Sequence, residues 1–390
     1  MSKTFPRIAL GLSLIIATLV VLIDPKQILL YKWPNAPVNA FGQNLAQELG
    51  YPADTKLLVV NSDDTAAHAT FSEGVFEVMR AGLVKSTSVI VHNHNDDELI
   101  KVAEIAKQHP EYGIGIHLML TNEYQQGYSW TPVLPQSMVP TLYNKHGLAW
   151  EKISDVEQYA DPKHVLLEIE AQIQKAQRLG IKLSHIDSHM GTLLRDSSYP
   201  GASKDDLRAA ALAMAKKYNL PIPMNAFDQG ATTALAYMDD NKMIRPDTFF
   251  GFYELAELND HLSYQGSAIN RWFTALTVKS VFGFELPYQN YSEVKDDIKV
   301  RMAINKAAIS SLVSPGLNHF YMHAAVSEAA NGLKIPNGKN HQPGVDKIVR
   351  LGDAAVWSSA EMRDFIAAEN IQLINYSQLQ KIQAARSQEY

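Results

Sequence analysis

Apolar and polar positions follow two rhythms in this chain, and the two rhythms take turns. KLLVVNSD at 56–63 is a short run of branched apolar residues, the pattern of a buried strand. FSEGVFEVMRAGL then puts Phe71, Val75, Val78 and Met79 on one side of a helix. STSVIVH predicts a strand, DDELIKVAEIAKQH a helix with Leu99, Val102, Ile105 and Ala106 in period, and YGIGIHLML a third strand. PKHVLLEIEAQIQKAQRLG predicts a long helix ending at Gly180. IKLSHIDSH is a fourth strand, SKDDLRAAALAMAKKYN a helix and LPIPMN a short strand. Further on, SEVKDDIKVRMAINKAAISSLV, HFYMHAA, SAEMRDFIAAEN and IQLINY read helix, strand, helix, strand. Alternation of this kind implies parallel strands with helical crossovers, hence an α/β barrel or a doubly wound sheet. One stretch, from about Phe227 to Tyr291, breaks the rhythm with aromatics (FFGFYEL, RWFTAL, FGFELPYQNY). It reads equally as an excursion near a site or as core packing.

The first residues follow neither rhythm. Lys3 and Arg7 precede an uncharged apolar run from Ile8 to Ile23, and Asp24, Pro25 and Lys26 follow it. At about 1.5 Å per residue the run spans roughly 24 Å, a little short of a bilayer core of about 30 Å. Residues 1–25 are therefore expected to be a signal peptide or signal-anchor. With no small-residue cleavage site promptly after, an uncleaved anchor is favoured, with the basic flank kept inside and the remainder extracytoplasmic, on the periplasmic or cell-surface side. Residues 26–44 read as a linker that runs into a short helix, FGQNLAQELG, stopped by Gly50. Residues 45–382 form one α/β domain, and 383–390 a tail.

Composition narrows the chemistry. The formal net charge is −6 over 390 residues and no basic run occurs, so nucleic acid is not an expected partner. Cysteine is absent, which excludes disulfides, thiolate catalysis and cysteine-ligated zinc; a metal would need His and carboxylate ligands.

Such residues fall at strand ends. Asp63 and Asp64 end the first strand, His117 lies near the end of the third, His189 ends the fourth and His323 a late one. In a barrel of parallel strands these ends converge on one face. Adjacent carboxylates raise each other's pKa unless a cation or a reaction uses them. One carboxylate and two imidazoles can hold a divalent cation with positions left open, and a second carboxylate can act as a base. His185, Asp187 and His189 share one strand face; His189 is outermost, and Asp187 either orients a ligand or bonds backbone. His68, His92 and His94 lie in polar loops and read as bystanders.

LLVVNSDDTAAHATFSEGVFEVMRAGLVKSTSVIV, GIGIHLMLT, SHIDSHMGT and FYMHAA, in that order, resemble the motifs of the YdjC-like carbohydrate deacetylases, the family of the chitooligosaccharide deacetylases. RLGDAAVWSSAEMRDFIAAENIQLINYSQL is similar to the family's ending, so the resemblance covers about 45–382. It implies a distorted, TIM-like (β/α) barrel and a metal-dependent hydrolase that removes an acetyl group from an N- or O-acetylated mono- or oligosaccharide. It carries one divalent ion, zinc or magnesium, onto Asp64, His117 and His189. The base falls on Asp63 and a proton-donating or substrate-stabilising role on His323. The chain departs from the family where Thr65 and Ala66 replace Phe-Gly, where Met190, Gly191 and Thr192 replace further His, and where Ala324 replaces Pro. Those departures keep two alternatives open: a membrane-anchored sugar-binding protein without turnover, or a metal hydrolase of another acylated or phosphorylated substrate. Trp130, Trp272 and Tyr288 are the aromatics available for sugar stacking, with core packing the default for each.

Overall fold

The computed structural model describes residues 42–125, 127–194, 204–223, 232–251, 298–326 and 345–387. The N-terminal apolar segment and most of the aromatic stretch, with Trp272 and Tyr288, lie outside them. Among the described residues no helix is long and apolar enough to cross a membrane.

Among the described residues seven strands build one sheet: β1 (Lys56–Thr65), β2 (Ser86–Ile90), β3 (Gly113–Leu118), β4 (Ile186–Ser188), β5 (Thr248–Gly251), β6 (Gly316–His323) and β7 (Ile371–Ile374). Every pairing is parallel, in the order β4-β3-β2-β1-β6-β5 with β7 added on β1. β6 follows β1 from Lys56 to Asp63, whereas β7 takes only Lys56–Val59 and β2 only the end from Asn61 to Thr65. β4 and β5 are the two ends of this order, and no pairing between them occurs among the described residues. The expected barrel is therefore present as a curled half-barrel sheet.

Helices fill the connections: α1 (Leu45–Glu48), α2 (Ala69–Ala81), α3 (Asp96–Gln108), α4 (Ile153–Tyr159), α5 (Pro162–Arg178), α6 (Lys204–Lys217), α7 (Thr232–Asp240), α8 (Ile298–Leu312), α9 (Val345–Trp357), α10 (Ala360–Ala368) and α11 (Tyr376–Arg386). α2 buries Phe71, Val75, Val78 and Met79 as their spacing predicts, and ends where Gly82 turns left-handed at φ 94°. α5 starts at Asp161, whose side chain accepts from the Lys163 N–H, with Pro162 in the first turn. Each apolar side chain buried this way contributes about 1.5–3 kcal/mol.

β1 shows how the sheet sorts its two faces. Leu58 and Val60 join the large cluster that includes Val75, Met79, Leu99 and Ile116. Leu57 and Val59, on the opposite face, join Leu45, Leu317, Ile374, Tyr376 and Leu379. Asn61 and Asp63 continue that second face. It passes from apolar plug to polar site within two residues.

Several sequence expectations are corrected. IKLSHIDSH pairs as a strand only over Ile186–Ser188. The described part of LPIPMN is not a strand, because Pro221 and Pro223 lack N–H donors; the Pro221 carbonyl still accepts from Ile186 N at 3.0 Å. The aromatic stretch contains α7 and β5, and α9 and α11 are further elements the periodicity did not announce. The expected tail at 383 begins inside α11, where Gln383 Oε1 accepts from Ile244 N at 2.8 Å and Arg386 pairs with Glu48.

Candidate metal centre

The end of β1 is irregular in a way that serves its two carboxylates. Ser62 pairs with Thr87 but Thr65 with Val89, so three steps on β1 match two on β2, a β-bulge. Asp64 has φ 66° inside it. In a regular strand Asp63 and Asp64 would face opposite sides; the bulge lets both reach His117. Ala66 also has φ 66°, a conformation costing a non-glycine residue about 1–2 kcal/mol. Neighbours hold this turn in place: Ala66 N donates to Ser72 Oγ (3.1 Å), Asn95 Nδ2 to the Ala66 carbonyl (3.0 Å) and Thr87 Oγ1 to the Ser62 carbonyl (2.6 Å).

Asp64 is the hub. Its Oδ1 lies 3.3 Å from His117 Nε2 and 3.1 Å from His189 Nδ1. One atom from each of these three buried residues lies within 4.8 Å of the others, a spacing that could hold a metal ion. Asp64 Oδ2 accepts from Arg350 Nη2 at 2.6 Å and lies 3.8 Å from His323 Nε2. Arg350 is buried, its Cζ 3.8 Å above the Phe71 ring and Nη2 3.2 Å from the Tyr124 hydroxyl. Asp187 accepts from His117 Nδ1, and Ser88 Oγ donates to Asp187 Oδ2 at 2.8 Å. Asn61 Nδ2 lies 2.7 Å from Asp63 Oδ1 and 3.2 Å from Asp187 Oδ2. Asp63, His117 and Asp187 form a second close group around the same histidine.

These contacts separate the two adjacent carboxyls. Burial raises the Asp63 carboxyl, Asp187 adds to that, and the attraction of His117 does not cancel them; Asp63 stands well above the ordinary carboxylate range. Burial also raises Asp64, but Arg350 and then His189 outweigh it and hold Asp64 well below that range. Burial disfavours the charged imidazoles, yet Asp187 and Asp63 keep His117 well above its usual value. Glu123 and Asp64 likewise overcome burial at His189, pushing it up to about 9. The donor set fits a divalent cation. One carboxylate and two imidazole nitrogens converge, each has an outer partner, and the carboxylates already draw positive charge onto both rings, charge that a cation would replace.

All five residues singled out from the sequence, Asp63, Asp64, His117, His189 and His323, meet at this end of the sheet. Asp187 bonds a histidine rather than backbone. His68, His92 and His94 are absent from the close groups among the described residues. Trp130 is 4% exposed and stacked on His92 at 5.3 Å, a core residue and not an open platform. Met190, at one of the positions where the resembling family carries further His, is exposed with φ 56°. Sequence reasoning missed Arg350, Glu123, Asn61 and Ser88. Arg350 and Asp353 lie one turn apart on α9. Asp353 Oδ2 accepts from the His323 backbone N–H at 3.0 Å while its Oδ1 accepts from Arg301 at 3.1 Å. One helix thus steadies both Asp64 and His323. The only available signal for this was a cation and an anion three residues apart beside an apolar run.

Fold and site together define a parallel α/β protein with a buried Asp-His-His group at the carboxyl ends of its strands. The model of the family described as YdjC-like protein matches residues 57–368, and the chain belongs to that family. It is 30% identical over 174 residues to a carbohydrate deacetylase of Thermoanaerobacter pseudethanolicus, covering 45% of this chain and 62% of the relative. A carbohydrate deacetylase of Enterococcus faecalis is 32% identical over 167 residues, 43% of this chain and 58% of the relative. A chitooligosaccharide deacetylase of Serratia marcescens is 29% identical over 150 residues, 37% and 53% of the two chains. The matches thus span less than two thirds of these relatives' lengths. A crystal structure from Enterococcus faecalis V583, provisionally named a cellobiose-phosphate cleavage protein, superposes with a TM-score of 0.56 at 22% identity, covering 83% of this chain and 99% of that one. That likeness is one of fold.

Proposed function

We propose that this protein is a metal-dependent carbohydrate deacetylase acting on N- or O-acetylated mono- or oligosaccharides. The observation that carries the reading is the division of labour between neighbours: Asp64 tied to two histidines and an arginine, Asp63 beside them, held by the Asn61 amide and close to His117. Family membership and the names of the relatives support the carbohydrate substrate.

A zinc or magnesium ion held by Asp64, His117 and His189 would polarise an acetyl carbonyl and make water acidic enough to react near neutral pH. Asp63, oriented by the Asn61 amide, takes a proton as the water oxygen bonds to the acetyl carbon. His323, 13% exposed and anchored through its backbone to Asp353, delivers a proton to the sugar nitrogen or oxygen as its bond to the acetyl carbon breaks. Acetate and the free amine or hydroxyl leave. Asp187 and Ser88 hold the His117 ring in place throughout. The basic flank and apolar run of residues 1–25 support a membrane-anchored, extracytoplasmic enzyme.

The test is acetate release by the full chain from a panel of N- and O-acetylated sugars, with zinc or magnesium and with a chelator. Release that the chelator abolishes is the expected result; release equal in both conditions, or none from any sugar, would overturn the reading.

A further inference from the structure

The two histidines that face Asp64 turn different atoms toward it. His117 presents Nε2 and gives its Nδ1–H to Asp187. His189 presents Nδ1, 3.1 Å from the same Asp64 oxygen, while its Nε2 lies 2.9 Å from Glu123 Oε2. A neutral imidazole keeps one proton, and its outer partner decides which nitrogen holds it. The choice matters acutely here. With the proton on Nδ1, His189 would simply donate to Asp64 Oδ1 and have no lone pair pointing into the centre.

Glu123 is built to make that choice. Its side chain is 18% exposed and stands outside the close groups, so it is an outer partner and not a ligand. The loop around it is tied on both sides. Asn122 N donates to the Trp150 carbonyl at 2.6 Å, Asn122 Nδ2 to the Tyr128 carbonyl at 2.8 Å, and Tyr124 N to Asn122 Oδ1 at 3.0 Å. Glu123 is thereby carried to His189 Nε2 by a fixed strand-end loop. We infer that Glu123 is a positioning residue that keeps the His189 proton on Nε2, so that the ion is held by unlike nitrogens, Nε2 of His117 and Nδ1 of His189. The inference rests on the metal reading proposed above, and is independent of which substrate that metal serves.

The experiment is zinc binding by the metal-stripped full chain, read by competition with a chromophoric chelator, for the parent, Glu123→Ala and Glu123→Gln. Melting of the metal-free forms serves as the fold control. Glu123→Ala should weaken zinc about 10–100-fold, the usual effect of removing an outer partner. Glu123→Gln, whose amide oxygen still accepts from Nε2–H, should lose less than about tenfold. Both variants lose the charge of Glu123 beside His189, so melting of the metal-free forms should fall by a similar amount in each, and a difference in zinc affinity between them is not one of fold. Zinc bound by Glu123→Ala as tightly as by the parent would overturn the inference, and equal losses in Ala and Gln would replace proton placement with plain charge. A parent that binds zinc yet releases no acetate would remove the deacetylase reading while leaving this result in force. A parent that binds no zinc would remove both.

Discussion

The two halves of β1 behave differently. From Lys56 to Val60 the strand is regular, keeps register with β6, and sends its side chains alternately into two apolar clusters. From Asn61 to Thr65 it carries buried amide, hydroxyl and carboxylate groups, bulges against β2 and puts Asp64 into the left-handed region. The first half follows the rules of strand packing and the second violates them where the chemistry lies. Strain and buried charge persist in the second half because the first half, with α2 and α9 around the site, over-determines the position of the chain.

The sharpest way to break this contrast is Arg350→Leu. It leaves Asp64 Oδ2 buried without its guanidinium, and loss of one partner from a buried pair costs about 3–5 kcal/mol. Urea unfolding of the metal-free protein should show that loss; an unchanged midpoint would mean the pair is not formed in solution. Leu57→Ala probes the regular half. Its fully buried side chain should cost about 2–5 kcal/mol in the same assay. The metal-free variant, once folded, should still take up zinc normally, and impaired uptake would show that the two halves are not separable.

Proton linkage distinguishes the regions next. His92, His185 and His319 are buried neutral, depressed by burial to about 3, 4 and 3. Their folded values lie below the unfolded one, so their contribution is complete above about pH 6.5 and is lost as pH falls toward 4 and 3, at up to about 1.4 kcal/mol per unit for each. His189 has the opposite sign. Raised to about 9, it stabilises the metal-free protein fully below about pH 6.5, and that contribution is lost as pH rises toward 9. Stability measured across pH 4–9 should therefore weaken at both ends, and His189→Gln should shrink the alkaline limb alone, leaving the share of His117, which is raised in the same sense. An alkaline limb undiminished by this substitution would assign it elsewhere.

The smallest effect concerns Ala66, where the resembling family carries glycine. With φ 66°, Ala66→Gly should stabilise by about 1 kcal/mol, within the range that left-handed strain costs. Destabilisation would mean that the buried methyl group contributes more to packing than the backbone loses.

Most of this was legible in the sequence because each half left its own kind of signal. Short apolar runs marked β1, β2, β3 and β6 as strands, and helical spacing marked α2, α3 and α5. The site residues declared themselves as polar groups at strand ends, where apolar residues would otherwise continue. Arg350, Glu123, Asn61 and Ser88 left no such signal. Arg350 reaches Asp64 across 286 positions of chain, a distance no local pattern encodes. Asn61 looks like strand fraying until Asp63 and Asp187 are seen to share it. The bulge was invisible for a similar reason, since it exists only in the register between two strands.

The central claim is that adjacent carboxylates do different work, Asp64 holding the ion and Asp63 moving the proton. Asp63→Asn tests it most directly, with zinc content and acetate release measured on the same full-chain preparation. The account predicts a full metal complement and release slowed by about 10²–10⁴-fold, the usual contribution of a general base. Near-normal release, or loss of the metal with the carboxylate, would contradict it.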